Sequence, residues 1–145
     1  MVPLLATLWL LAAAPGSPAA ASDPGLAASE RLVADAFKRA DADRLASALS
    51  QRLKTYVACA SLGVGDGYYG ADQMRILLRR LFRERETLRF RPLPPPMTPR
   101  ADGTAVAMVE WTFRDAGSPQ AAVTLALSFA QESDGWRLRE IRDLK

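Results

Sequence analysis

Apolar residues follow a helical period in the first half of the chain and a two-residue alternation in the second. Leu32, Val33, Ala36 and Phe37 recur on one face, with Glu30, Arg31, Asp35, Lys38 and Arg39 opposite. That spacing predicts an amphipathic helix over about residues 25–40. Asp23 can accept hydrogen bonds from its first amides, and Pro24 suits the first helical position. Ala40-Asp41-Ala42-Asp43 interrupts the pattern. Asp41 is a good N-cap, so a second, short helix is expected over 42–51, with Leu45, Ala48 and Leu49 inward. A third helix, over 71–85, has Met74, Leu77, Leu78, Leu81 and Phe82 as its stripe. Arg75, Arg79, Arg80, Arg83 and Arg85 cover much of its remainder and read as a solvated face whose aliphatic stems shield apolar surface.

Residues 53–61 fit a first strand, joined to the third helix by a glycine-rich turn over 62–70. Thr87–Leu93 reads as a strand closed by Pro94-Pro95-Pro96, which cannot continue a ladder. From Thr104 to Arg114 the residues Ala105, Ala107, Val109, Trp111 and Phe113 alternate with Val106, Met108, Glu110 and Thr112. Gln120–Gln131 alternates again, with Val123, Leu125, Leu127 and Phe129 on one face. Ser133-Asp134-Gly135 is a hairpin signal leading into Trp136–Leu144. Helices first and hairpin-linked strands after them predict an α+β fold, with three N-terminal helices packed on one face of a curved antiparallel sheet.

The first 21 residues carry no charged side chain. Leu4–Ala14 is an apolar run, Pro15, Gly16 and Pro18 break it, and Ala19-Ala20-Ala21 supplies small residues for a cut after Ala21. Residues 1–21 therefore read as a secretory signal and 22–145 as one domain bound for the periplasm or beyond. The run is about half the ~20 residues that a spanning helix needs, so no stable membrane span is expected after the cut.

Composition excludes more than it selects. The 145 residues suit one domain, and 19 basic against 16 acidic side chains leave a net charge of +3. The basic residues are scattered, and no nucleic-acid partner is expected. Cys59 is the only cysteine, so no internal disulfide can form; its setting, Tyr-Val-Ala-Cys-Ala, marks a buried structural thiol. The absence of histidine removes Ser-His-Asp and Cys-His sites and most zinc, copper and iron sites. No clustered acids suggest magnesium or calcium, so neither a metal nor a cofactor is expected. Gly65-Asp66-Gly67-Tyr68-Tyr69-Gly70 matches G-x-G-x-x-G formally. A dinucleotide unit needs a second parallel strand after its helix, whereas the strands here are hairpin-linked, and two tyrosines would crowd the backbone approach.

Three segments carry a family likeness. Phe37-Lys-Arg-Ala-Asp-Ala-Asp-Arg-Leu-Ala-Ser-Ala-Leu49, Tyr68-Tyr69-Gly70-Ala71-Asp72 and Asp134-Gly135-Trp136-Arg-Leu-Arg-Glu-Ile141 occur in this order and spacing. They resemble the first helix junction, the start of the third helix and the closing hairpin of the nuclear transport factor 2-like (cystatin-like cone) superfamily. The likeness covers about residues 26–145 and is greatest to small exported bacterial members of unknown function. It implies a cone-shaped half-barrel, a pocket between sheet and helices, and frequent homodimers through the outer sheet face. Enzymes of this group place an Asp or His base in the cone, or an Asp-Arg-Asp set that positions water.

Glu110 is the best acidic candidate for such a base, though its side of the alternation favours pairing with an arginine such as Arg137 or Arg139. Tyr56, Tyr68 and Tyr69 are candidate donors to a ligand carbonyl, or half-buried packing residues. Trp111 and Phe113, with Phe129 and Trp136, are core or pocket wall. Three functions stand on this footing. The first is a non-catalytic module that binds a small apolar ligand or a protein partner. The second is an isomerase, dehydratase or hydrolase using Glu110 and a tyrosine, and the third is a structural homodimer with a filled cone.

Overall fold

Asp23 opens the first helix in the computed structural model, in which residues 23–144 are described. Its carboxylate accepts from the Gly25 and Leu26 amides at 2.9 and 3.1 Å, and α1 runs Pro24–Arg39. The helix stops at Ala40, whose φ of 54° is left-handed; the Asp41 amide turns back onto the Ala36 carbonyl at 2.9 Å. Asp41 then caps α2 (Ala42–Ser47) by accepting from the Arg44 amide at 2.9 Å. The second helix is shorter than its apolar pattern suggested. Ala48 and Leu49 have already joined the sheet: the Leu138 amide donates to the Ala48 carbonyl and Leu49 bridges Leu138.

The remaining elements are β1 (Thr55–Ala58), a 3-10 turn (Ala60–Leu62), β2 (Gly67–Tyr69), α3 (Ala71–Glu84), β3 (Arg85–Pro92), β4 (Thr104–Asp115), β5 (Ala121–Glu132) and β6 (Gly135–Leu144). They form one six-stranded sheet in the order β2-β1-β6-β5-β4-β3. The expected antiparallel sheet is in fact mixed, because β1 runs parallel to β6, with Val57 opposite Ile141. A second difference is β2, a short edge strand inside the stretch read as a glycine-rich turn.

Alternation sorts the sheet into two faces. Ala105, Ala107, Val109, Trp111 and Phe113 of β4, Leu125, Leu127 and Phe129 of β5, and Trp136, Leu138 and Ile141 of β6 are buried. They meet Val33, Ala36 and Phe37 of α1, Leu45 of α2, and Met74, Leu78 and Leu81 of α3 in one core. Bulges at Leu88 of β3 and Arg139 of β6 break the ladder registers and help the sheet curve around the helices. No described helix is long and apolar enough to cross a membrane. The signal read over 1–21 lies outside the described residues.

Candidate functional site

A cone of this shape would hold its chemistry between the inner sheet face and the helices, and that space is occupied by the chain's own rings. Phe37 of α1 stacks on Phe90 at 4.3 Å between centroids and meets Trp111 edge-on at 5.3 Å and Phe82 at 5.6 Å. Trp111 packs on Phe113 at 4.4 Å. The Trp111 indole N–H donates to the Thr87 hydroxyl at 3.0 Å, so its one polar atom is satisfied from the neighbouring strand. Trp111 has no exposed surface, and Phe37 and Phe90 have almost none. Trp111 and Phe113 are thus core residues and not the walls of an open pocket.

An ion pair ties the start of β3 to the end of β4. Arg85 opens β3 directly after α3, and Asp115 ends β4 opposite it. The guanidinium grips the carboxylate with two bonds, Nε to Oδ1 at 2.6 Å and Nη2 to Oδ2 at 2.8 Å. It also donates to the Ser61 carbonyl and lies 4.1 Å above the Phe113 ring. These bonds hold the Asp115 carboxyl below its ordinary range. The clasp stands between two clefts: one of about 140 Å³ lined by Leu62, Val64, Leu77 and Leu81, and one of about 420 Å³ on its other side lined by Phe37, Phe82, Thr87 and Arg114. Ligand pockets typically run to roughly 300–1,000 Å³. In the sequence, Arg85 looked like one more arginine on a solvated helix face; its position at the helix-to-strand junction was the available clue.

The sequence-selected polar residues do not converge. Glu110 faces away from the interior and accepts from Arg91 Nε at 3.1 Å, so its partner is on β3 and is neither Arg137 nor Arg139. Only β3 and β5 flank β4, so β6 lies out of reach of a direct cross-strand pair. Its side chain is 30% exposed, in contact with water and an arginine, without the apolar enclosure that would tune it as a base. Tyr56 and Tyr68 pair on that same outer face, rings 5.0 Å apart, with the Arg142 guanidinium 4.9 Å over Tyr56. Tyr68 is 68% exposed. Two strands, β5 and β6, separate Tyr56 from Glu110, and β1 adds a third between Tyr68 and Glu110. Tyr69 is half-buried, and its hydroxyl is spent on the Gly65 carbonyl at 2.5 Å, bracing the glycine-rich loop.

The outer face itself carries a tract of low charge. Val106 and Met108 lie opposite Ser128 and Ala126, and Thr112 opposite Ala122. The Arg91–Glu110 pair interrupts it between Met108 and Thr112, Arg142 lies opposite Ala126 and pairs with Glu140, and Arg114–Glu86 lies beyond. At one end Glu132, with 6% of its side chain exposed, accepts from the Ser50 hydroxyl at 2.9 Å and lies 3.8 Å from Arg139. That contact pins the segment after α2 to the sheet.

No family profile and no curated protein matches the chain. Solved structures do match. A DUF4783 family protein from Bacteroides uniformis superposes with a TM-score of 0.63 at 13% identity, over 79% of this chain and 94% of that one. A protein from Streptomyces avermitilis, described as a candidate dehydratase of the NTF2-like family, gives 0.59 at 15% identity over 82% and 91%. A ketosteroid isomerase-like protein from Erwinia carotovora atroseptica gives 0.61 at 12% identity over 82% and 93%. The architecture they share with this chain is three helices on a curved, unclosed sheet.

Proposed function

Starting from the nuclear transport factor 2-like fold, we propose that this chain is an exported, non-catalytic protein-interaction module. It works through the outer face of its sheet, with a second copy of itself as the first partner. The observation that carries this reading is the filled cone: the stacked rings of Phe37, Phe90 and Trp111 occupy the interior. A fold whose interior is filled by its own rings has its outer surface left to act with. The outward-facing Val106, Met108, Ala122 and Ala126 support that surface, since a solvated antiparallel face ordinarily carries polar residues. The apolar, uncharged leader over 1–21 supports export. Against an isomerase, dehydratase or hydrolase stand the outward direction of Glu110, its pairing with Arg91 and its distance in strand order from Tyr56 and Tyr68.

Light scattering on the purified chain at tens of micromolar tests the partner. Twice the single-chain mass is expected, returning to one copy in Ala126→Arg, which puts a charge in the middle of the tract. A single-copy mass that this substitution leaves unchanged removes self-pairing. N-terminal sequencing of the native protein tests export: a start at Ser22 supports it, and a start at Met1 or Val2 in the cytoplasmic fraction ends it.

A further inference from the structure

A cleft of about 440 Å³ lies between α1 and the proline-rich strap that joins β3 to β4, and it shares no residue with either cleft at the Arg85–Asp115 pair. Its walls are apolar: Leu26 and Ala27 from α1, Leu93 and Met97 from the strap. Helical spacing adds Asp23, Glu30 and Arg31 to the same face of α1. These three charges are not equivalent. Asp23 takes the first two amides of α1 on one oxygen, Oδ1, and Arg31 is exposed. Glu30 is half-buried, with no ion pair or hydrogen bond among the described residues, and burial pushes its carboxyl up. A carboxylate held against apolar walls without a counter-charge is costly unless a cation comes to it.

We propose that this cleft binds a cationic amphiphile, an alkylammonium-type ligand whose apolar chain lies between α1 and the strap and whose ammonium sits on the Glu30 carboxylate. The volume falls within the range of small-ligand pockets. The charge order favours a cationic head group, because both Glu30 carboxylate oxygens and Oδ2 of Asp23 are acceptors without a hydrogen bond among the described residues, and Glu30 is the one placed against the apolar walls.

Isothermal titration calorimetry of the full chain with octylamine and with octanoate, each below its aggregation threshold, separates head group from tail. Saturable octylamine binding is expected, with octanoate at least about tenfold weaker. Glu30→Gln keeps the size of the side chain and weakens octylamine by about tenfold, the equivalent of ~1.4 kcal/mol. Ala27→Trp fills the α1 wall and abolishes binding of both probes, with the unfolding midpoint of each variant measured alongside. The proposal is overturned if the native chain shows no saturable octylamine binding, if octanoate binds as tightly, or if neither substitution changes the octylamine affinity.

Discussion

Replacing Trp111 by alanine tests whether the cone is filled. The indole has no exposed surface, contacts Phe37 and Phe113, and gives its N–H to Thr87. Full burial of a ring of this size is worth roughly 4–6 kcal/mol at ~25 cal/mol per Å². The alanine methyl keeps part of that, and aromatic-to-alanine changes in cores cost about 3–5 kcal/mol. The lost hydrogen bond adds little, because Thr87 is half-buried and its hydroxyl can turn to water. A loss of about 4 kcal/mol is therefore expected in urea unfolding, a large share of a typical stability of roughly 5–15 kcal/mol. The hole left behind is apolar, so indole should bind to the variant and restore part of the stability by mass action, while leaving the native chain unaffected. Phe90→Ala serves as the parallel case if the tryptophan variant does not fold. A loss below about 1 kcal/mol, or indole binding inside the native chain, would refute a filled interior.

Other outcomes follow from single residues. Ala40 holds a left-handed φ of 54° at the end of α1, so Ala40→Gly should stabilise the chain by about 1 kcal/mol in chemical denaturation. Cys59 is fully buried, which pushes its thiol up to about 11; it should resist a thiol reagent at mildly alkaline pH and react at once in urea. Glu132→Ala strips the Ser50 hydroxyl and Arg139 of their carboxylate and should cost about 2 kcal/mol, read as a lower urea midpoint. Acid behaviour has a definite sign. Asp115 and Asp134 are lowered by Arg85 and Arg137, Asp102 by Thr104 and Asp23 by the Leu26 amide, all from a reference of 3.8. Their contribution is complete above that value and lost as the pH falls through the folded-state values, so the unfolding midpoint should drop below about pH 4. Glu30 has the opposite sign, since its raised value detracts from stability when ionised, and Glu30→Gln should not lower the midpoint at neutral pH.

Much of this architecture is written in local patterns. The stripe of α3 and the alternation in β4 and β5 mark their buried faces because period and burial are the same physical fact. Pairing across the sheet is not local. Alternation puts Glu110 on the outer face, but strand order decides that Arg91 is its neighbour. The parallel union of β1 with β6 was illegible for the same reason: a four-residue strand carries no signal of its partner's direction. β2 was hidden because Gly67-Tyr68-Tyr69 lies in a run whose glycines signal a turn. The clasp was missed because an arginine at a helix end is ordinarily a solvated charge, and only the register that sets Asp115 opposite gives it a partner. The occupancy of the cone depends on how Phe37 reaches across from α1 to Phe90 and Trp111, a distance no spacing rule encodes.

The placement of β6 bears on the order in which the molecule can assemble. Last in chain order, it lies in the interior of the sheet between β1 and β5, and its Trp136 carbonyl receives the Ser29 hydroxyl of α1. Until Gly135–Leu144 arrives, the helical half and the β3–β4–β5 meander have no strand to join them and remain two incomplete surfaces. Joining β1 to β6 and β6 to β5 is therefore a long-range step, the kind that slows folding relative to the local contacts of the helices and the β3–β4–β5 meander.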